Sequence, residues 1–507
     1  MKKFLKSDWP AVIFLFLSAA AIRTIPELKA GVWPIGYDTF NTYAAELASY
    51  NGPLINWVRT ANILYFIFLP FKAAGIVPDT IMKIVGPLLY GGLIVSFYFF
   101  VKKFLKFDAK KSFLAALLLL LQLGSLRISW DLYRNELSLI FLFLAMINLA
   151  NITRPKNLFY FCLLGGLVTL SNELVTVLLL IITLVYWFYF LFKKRWQGLA
   201  AISIPLVIFG TIFAIVVESS GQVLYDKHII FMSERNYFWR YFYRYNLVIP
   251  YWLLKQIIGQ LFWLLYGFLL PFAIIGIWYF RKNLVLIILT GWLLAGTFSS
   301  LLFNGNGILV WERWLFMLVF PMVIFATEGI YRLGEILSRP RKWAKKMPKL
   351  AYATAVVFWI GLLGFFAFRA KPFLMASYAQ ARPPLANDEL NNYFPRTMVH
   401  NSVGLFDMKS TLAVVKWLNK NVPSGAVVIV DNRYRGVMIT RFDIDNRYII
   451  TNSWSEKIQV STLDLAKKLP HRPVYLIWNT SKAIDNFDRV YAAGSKGVYE
   501  ALPSFYF

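Results

Sequence analysis

The sequence is poor in charged residues and nearly free of cysteine. Only 16% of its 507 residues are Asp, Glu, Lys or Arg, against about 25% in a typical soluble domain. The single cysteine, Cys162, excludes an internal disulfide and any metal site built from a cysteine cluster. Acidic residues are few, with 26 Asp and Glu against 53 Lys and Arg. These deficits indicate that water is not the main solvent of the chain.

Most of the sequence is apolar instead. Hydrophobic residues make up 58% of it and aromatic residues 18%. They occur in long blocks, such as Ala11–Ala21, Leu114–Leu121 and Leu174–Phe192. Such blocks suit a bilayer core about 30 Å thick. We therefore expect a polytopic α-helical membrane protein, with the lipid bilayer as its principal partner.

The net charge of +27 has two possible explanations. Nucleic-acid binding is one, but no basic stripe lies on a soluble stretch, so we do not expect nucleic acid as a partner. The other is the excess of Lys and Arg in cytoplasmic loops, which orients membrane proteins. Five basic clusters fit that rule, at Lys102–Lys111, Arg154–Lys156, Lys193–Arg195, Arg281–Lys282 and Arg339–Lys349.

All five clusters become cytoplasmic if the chain crosses the membrane about eleven times. The expected spans are residues 9–25, 80–101, 112–128, 136–152, 157–171, 174–192, 197–217, 252–280, 284–302, 312–333 and 350–370. The apolar run Trp9–Ile22 is interpreted as a retained first helix, because no small-residue cleavage site follows it cleanly. The stretch Asn56–Ile76 is interpreted as not crossing. The alternative, a true span, would put Lys102–Lys111 outside, against the orientation rule.

An odd number of spans predicts a multi-pass protein of the plasma membrane with a cytoplasmic N-terminus and an extracytoplasmic C-terminal part. We expect residues 1–372 to form the transmembrane domain, 373–406 a polar linker and 407–507 a separate domain. In that last part, Ser410–Asn421 has a helical pattern, whereas Ala426–Asp431 and Val474–Trp478 are typical of buried strands. These patterns predict a small external α/β domain.

The external loops of this topology hold most of the charged residues that the orientation rule does not explain. Ionisable residues at a membrane are costly, so they usually face a cavity or a partner. The candidate site residues are Asp38, Asp131, Glu173, Glu312, Arg313 and Arg244, the last in an aromatic-rich loop over Glu218–Pro250. Together they predict a site for an anionic lipid head group beside a catalytic carboxylate; the alternative is that they are ordinary solvated charges. Glu46 and Glu136 are expected to be an exposed helix acid and an ion-pair partner of Arg134.

Three stretches of the chain resemble motifs of the GT-C superfamily of membrane glycosyltransferases. They are Arg23 and Pro26 followed by GYDTF with Asp38, then the turn SWDLYRNE with Asp131, and finally ERWLFMLVFPMVIFATEGI with Arg313 and Pro321. Each motif is short, so their order, sidedness and spacing together carry the resemblance. The expected C-terminal domain is also similar to the α/β appendage of some members.

The resemblance implies transfer of a sugar from a polyprenyl-phosphate or pyrophosphate donor, at the external leaflet, to a lipid, glycan or protein acceptor. It implies that Asp38 is the catalytic base or an acid that orients the acceptor, and that Arg313 and Arg244 bind the donor phosphate. One carboxylate can suffice, because an inverting displacement needs a single group to take the acceptor proton. A guanidinium suits the charge that develops on the leaving phosphate.

The resemblance also implies roles for the other acids. Asp131 would orient the acceptor or hold Mg²⁺ or Mn²⁺ with Asp38, since hard cations prefer carboxylate oxygens. Glu173 and Glu312 would contact the acceptor or the metal. The Trp-Trp-Asp-Tyr-Gly signature of oligosaccharyltransferases is replaced by DNRYRG at Asp431–Gly436, which argues against transfer of a whole oligosaccharide to Asn. This segment could bind sugar or pyrophosphate.

Two other functions stay open at this point. One is a glycan polymerase or ligase of a different membrane fold, for which we would expect a large Arg-rich late loop. The other is a transporter or flippase for a lipid-linked glycan, for which we would expect charges in the middle of broken helices and repeated halves. The acids lie in external loops instead, and no half-repeat is visible in the sequence.

Overall fold

The computed structural model describes most of the chain in separate stretches. They are residues 2–50, 52–219, 229–231, 251–302, 311–338, 408–443, 447–452, 472–479 and 484–506, with a few positions between 360 and 368 and between 463 and 467. Most of the expected span 350–370, the whole linker 373–406 and the candidate residue Arg244 lie outside these stretches.

The described part before residue 339 is a helical bundle, apart from the short strand Ile229–Phe231. Its helices are α1 (Lys2–Lys29), a π-helix (Thr39–Ala44), α2 (Ala45–Ser49), α3 (Ile55–Arg59), α4 (Leu64–Ala73), α5 (Pro78–Lys103), α6 (Ala109–Leu120), α7 (Leu123–Asp131), α8 (Tyr133–Leu149), α9 (Pro155–Thr169), α10 (Glu173–Phe192), α11 (Trp196–Ser219), α12 (Tyr251–Tyr266), α13 (Leu270–Phe280), α14 (Leu284–Leu302), α15 (Trp311–Met317) and α16 (Val319–Ser338).

Within the described residues, five helices are long and apolar enough to cross a membrane. They are the stretches Asp8–Lys29, Pro78–Phe104, Glu173–Phe192, Trp196–Ser219 and Trp311–Gly334. Two bent helix pairs raise the number to as many as 7. The expectation of a multi-pass helical protein is therefore supported, whereas the count of about eleven spans is not confirmed.

Two expected spans are broken rather than continuous. The span predicted over 252–280 consists of α12 and α13, which meet at 80°, and the span predicted over 112–128 consists of α6 and α7, at 62°. Pro271, in the first turn of α13, explains the first break, since proline cannot extend a preceding helix through its own position. At the second break, Gln122 has an extended backbone. The Ser125 hydroxyl is shared between the carbonyls of Leu119 and Gln122 as a hydrogen-bond donor. It thereby helps to satisfy backbone acceptors near the break.

The bundle has two chemically different ends. Helix α5 has 26 residues and is therefore about 39 Å long at about 1.5 Å per residue. Its last turn carries Lys102, which pairs with Asp8 of α1, whereas its first turn carries Asp79. We call the end with Lys102 and the basic turns at 154–156, 193–195 and 281–282 the basic end. The opposite end, which includes Asp79, Asp38 and Asp131, is called the site end.

The stretch predicted not to cross forms two short helices, α3 and α4. Helix α4 has 10 residues, so it spans only about 15 Å, half the thickness of a bilayer core. This length agrees with the predicted non-crossing segment.

The C-terminal part is built on a sheet in which the described residues form 6 strands, in the order β1-β3-β2-β4-β6-β5. The elements are β1 (Ile229–Phe231), α17 (Met408–Asn421), β2 (Val427–Asp431), α18 (Arg435–Arg441), β3 (Tyr448–Asn452), β4 (Val474–Asn479), β5 (Phe487–Ala493) and β6 (Lys496–Ala501). The predicted helix and both predicted strands are confirmed. The apolar run of β2 is central, and Val428 lies opposite Ile449 of β3 and Tyr475 of β4, as expected of a buried parallel strand.

One strand comes from outside the predicted C-terminal domain. Strand β1 belongs to the loop Glu218–Pro250 and pairs in parallel with β3, with Ile230 opposite Ile450. The sheet is therefore not made from residues 407–507 alone.

Helix α18 joins the C-terminal part to the π-helix of the bundle. The Arg435 guanidinium donates to the carbonyl of Asn41 from Nε at 3.1 Å and from Nη2 at 2.5 Å. The backbone N–H of Gly436 donates to Asn41 Oδ1 at 2.8 Å. Arg441, at the end of α18, pairs with Asp79 of α5. These contacts bring the DNRYRG segment against the site end.

The fold predicts that residue 436 must be glycine. A Cβ there would lie 2.6 Å from the carbonyl oxygen of Phe40, and overpacking of this kind costs about 1–3 kcal/mol. We expect Gly436→Ala to lower the thermal unfolding temperature of the purified protein. Gly210→Ala is the control, because nothing lies within 4 Å of the Cβ it would add. An unchanged unfolding temperature in Gly436→Ala would contradict this docking.

Candidate active site

Asp38 stands at the start of an unusual helix. It is the N-terminal cap position of the π-helix Thr39–Ala44, and π-helical turns are rare and frequent at functional sites. Thr39, Phe40 and Asn41 are buried, whereas the Asp38 side chain keeps 28% of its surface exposed. The helix therefore anchors a carboxylate that a ligand can reach.

Arg313 faces this carboxylate. Its Nη2 lies 3.5 Å from Asp38 Oδ2, although the two residues are 275 positions apart. Arg313 comes from the first turn of α15, which brings a late helix to the loop after α1. The sequence motifs predicted both residues for one site, and the structure brings them together. At 3.5 Å the contact is long for a charged hydrogen bond, so a stronger anion can compete for this guanidinium.

Asp131 forms the second carboxylate of the site end. It ends α7, is buried and accepts hydrogen bonds from the Arg127 guanidinium and, at 3.4 Å, from the N–H of Tyr37. Gly36 lets the loop pass this close, since it has φ +98° and a Cβ there would lie 2.5 Å from Asp131 Cβ. Arg127 also lies over the Phe316 ring, 5.3 Å from its centre.

Arg127 is a site residue that the sequence analysis missed. The signal was present, because Arg127 and Asp131 are spaced i,i+4 on one helix face. Their pairing matters because an isolated buried carboxylate is strongly unfavourable.

The motif residue Arg23 supports the same region from α1. It is fully buried and donates to the carbonyl of Ser129 at 2.8 Å and of Trp130 at 3.2 Å, the two residues before Asp131. It also pairs with Glu27 at 2.8 Å. Arg23 therefore holds the end of α7 in place. None of these contacts is with the Asp38 carboxylate.

The charge of Asp131 acts on the Asp38 carboxyl group. Burial, and then the negative charge of Asp131, raise the pKa of Asp38 to about 6, while the guanidinium groups of Arg313, Arg127 and Arg435 oppose the shift. A carboxyl group with this pKa is mostly ionised at neutral pH, yet it is a stronger base than an ordinary aspartate. Asp38 is thus suited to take a proton from a hydroxyl group.

Glu46 differs from its expected place on an exposed helix face. It lies in α2 and accepts a hydrogen bond from the Tyr65 hydroxyl at 2.5 Å. Burial raises its pKa, against the effects of that hydrogen bond and of the Arg435 charge. The expectation was wrong because α4 packs against α2 through Tyr65 and Lys72, which the local sequence does not reveal.

The expected pairing of Arg134 with Glu136 was also wrong. Arg134 donates to Glu173 at 2.8 Å and to the carbonyls of Ala61 and Ser171 at 3.1 Å each. Glu136 is buried, and neither of its carboxylate oxygens has a hydrogen-bond partner among the residues that the structure describes. The candidate Glu173 is therefore in a buried ion pair that ties the loop before α4 to the turn before α10.

The remaining candidates are not brought to the Asp38 carboxylate by any described contact. Glu312 is half-buried and precedes Arg313 in the first turn of α15. In the DNRYRG segment, Arg433 donates to Asp431 at 2.8 Å, while Arg435 and Gly436 contact Asn41. The segment thus docks the C-terminal part onto the loop that carries Asp38.

The carboxylates do not form a metal-binding set among the described residues. No group of three or more His, Cys, Asp or Glu that could hold a metal ion occurs there. Asp38 faces Arg313 and Asp131 faces Arg127, so positive charge is already supplied at both. The Asp38 and Asp131 metal site expected from the resemblance does not fit this donor set, and we derive no step through a metal.

Comparison with solved structures gives a likeness over nearly the full length of the chain. The chain is similar to ArnT from Cupriavidus metallidurans, solved bound to undecaprenyl phosphate, with a TM-score of 0.48 and 12% sequence identity. The similarity covers 97% of this chain and 98% of that one. No protein-family model matches the sequence, and no curated protein matches it. The likeness concerns overall architecture, at an identity too low to transfer the role of any residue.

Proposed function

We propose that this protein is an integral membrane glycosyltransferase of the GT-C type. It transfers a sugar from a polyprenyl-phosphate donor to a lipid, glycan or protein acceptor on the extracytoplasmic face, with inversion at the anomeric carbon. The observation that carries this proposal is the contact of Asp38 with Arg313 at the site end. It sets a proton acceptor beside a phosphate-binding group at the end of a membrane bundle.

Each step of the transfer has a group in this arrangement. The acceptor hydroxyl attacks the anomeric carbon, its proton passes to Asp38, and the bond from that carbon to the phosphate oxygen breaks. The phosphate leaves with the electron pair, and its added charge is met by the guanidinium of Arg313. No covalent enzyme intermediate is needed, so the partly buried carboxylate of Asp38 can suffice as the base.

Donor binding would also strengthen the base. The donor phosphate competes with Asp38 for Arg313, and the nearby Arg313 charge lowers the pKa of Asp38. When Arg313 turns to the phosphate, Asp38 loses part of this opposing charge and gains basicity. Asp131 and Arg127 act through Asp38, because their charges influence its pKa and their pairing keeps those charges in place.

A transporter or flippase of a lipid-linked glycan is the second candidate. The bent pair α6–α7 favours it, because transporters often use broken helices. However, Asp131 lies in the last turn of α7 and not at the break between α6 and α7. The charged residues of the candidate site therefore lie at one end of the bundle. This position suits a site at the membrane surface better than a transport path.

The variant Asp38→Asn keeps the shape of the side chain and removes the proposed base. We expect sugar transfer to fall about 10²–10⁴-fold, the usual contribution of a general base. The measurement supplies synthetic polyprenyl-phosphate sugars and an extract of membrane lipids and glycans to the protein in lipid. Thermal unfolding of the same variant separates lost chemistry from lost folding.

Asp488→Asn is the matched control, because this carboxylate is exposed on strand β5. It makes the same chemical change without touching the site end. Undiminished transfer by Asp38→Asn would contradict the assignment of the base. If the wild type consumes none of the donors tested, the enzyme proposal fails and the transporter becomes the better explanation.

The proposed base also predicts how the rate of transfer depends on pH. Asp38 works as a base only when ionised, so kcat/KM should rise with pH through about 6 and then level off. The charge of Asp131 raises the pKa of Asp38, so Asp131→Asn should move this acid limb to lower pH. Asp488→Asn should leave the limb in place. A limb that does not move in Asp131→Asn would mean that another group titrates.

A further inference from the structure

A cavity of about 750 Å³ lies at the basic end of the bundle. Its walls come from the end of α5, the turn between α8 and α9, the turn between α10 and α11, and the turn between α13 and α14. The volume falls within the range of about 300–1,000 Å³ that is usual for small-ligand sites.

This cavity is far from Asp38. Phe104, which follows α5, lines it, whereas Asp79 in the first turn of the same helix pairs with Arg441 of the C-terminal part. The 26 residues of α5 separate these two points by about 39 Å. Helix α10 runs the same course, from Glu173 at the site end to Tyr189 in the cavity wall. The cavity and the candidate active site therefore open at opposite ends of the bundle.

The lining of the cavity suits an anion. Arg195 and Lys282 provide positive charge, and the side-chain amides of Asn151, Gln197 and Asn283 provide further hydrogen-bond donors. None of the described residues that line it is acidic. A phosphate group accepts hydrogen bonds from all three kinds of donor, and a guanidinium fork matches it best.

The surroundings of the cavity suit a lipid more than a soluble anion. Trp196 in its wall is 66% exposed, and the neighbouring Phe192 at the end of α10 is 78% exposed. Helices α10 and α11 meet here, and both are long and apolar enough to span a membrane. Exposed aromatics at the ends of spans lie at the level of lipid head groups. Basic pockets between membrane helices at this level are typical sites for phospholipid head groups.

We propose that this cavity binds the phosphate head group of an anionic phospholipid from the leaflet at the basic end. The bound head group bridges the turns before α9, α11 and α14, with its acyl chains beside α10 and α11. Such a lipid joins three turns that are distant in the chain, so its binding stabilises the folded bundle. This site does not depend on the reaction at Asp38.

The test compares lipids in thermal unfolding of the full-length protein in detergent micelles. Phosphatidylglycerol should raise the unfolding temperature saturably, whereas phosphatidylcholine and millimolar inorganic phosphate should not. The variant Arg195→Gln/Lys282→Gln should bind phosphatidylglycerol about twenty-five-fold more weakly, because each lost charge weakens binding about fivefold. Native mass spectrometry should show fewer retained phosphatidylglycerol molecules on this variant.

The control is Arg154→Gln/Lys156→Gln, which removes two exposed charges from the same end without changing the cavity lining. It should bind phosphatidylglycerol like the wild type. Equal weakening in both variants would mean general attraction to an anionic surface and would overturn the site. Equal stabilisation by inorganic phosphate would identify a soluble anion as the ligand and would overturn the lipid.

Discussion

The pairing of charged residues at the site end is governed by the free-energy cost of burying carboxylates. A carboxylate removed from water is strongly unfavourable unless a cation and hydrogen bonds compensate it. Asp131 meets this demand with Arg127, one helical turn away, and Asp38 meets it in part with Arg313. The charge of Asp38 is compensated only in part. Its contact with Arg313 is long, and the negative charge of Asp131 acts against the ionised form of Asp38. That imbalance is why we propose Asp38, and not Asp131, as the base.

The same demand explains why distant segments meet around one loop. Arg23 of α1 holds the carbonyls that precede Asp131, and Arg313 reaches the loop from a late helix. From the other side, Arg435 binds the backbone of Asn41, within the π-helix that Asp38 begins. The C-terminal part is thus attached to the π-helix that begins after Asp38.

Much of this arrangement could be predicted from the sequence. The features that were not predicted have identifiable physical reasons. Long apolar runs and basic turns predicted a membrane bundle, and the runs Ala426–Asp431 and Val474–Trp478 predicted β2 and β4. These signals are local and periodic. The break near Gln122 was not predicted, because no proline marks it. The approach of Arg435 to Asn41 joins residues 394 positions apart, a distance over which no local pattern carries information.

The site itself was predicted unevenly for the same reason. Asp38 and Arg313 were expected in one site through motif order, and their contact agrees with that expectation. Arg127 could have been found from its i,i+4 spacing to Asp131. The burial of Glu46 and the pairing of Arg134 with Glu173 depend on how helices pack. Packing of this kind is a property of the whole chain and not of its segments.

A cryo-electron microscopy reconstruction of the protein in lipid nanodiscs with added polyprenyl phosphate tests the account most directly. We expect the phosphate at the site end, within hydrogen-bond distance of the Arg313 guanidinium and beside the Asp38 carboxylate. In that state Arg313 should have moved from Asp38 toward the phosphate. A phosphate bound elsewhere, with Arg313 still facing Asp38, would contradict the central claim.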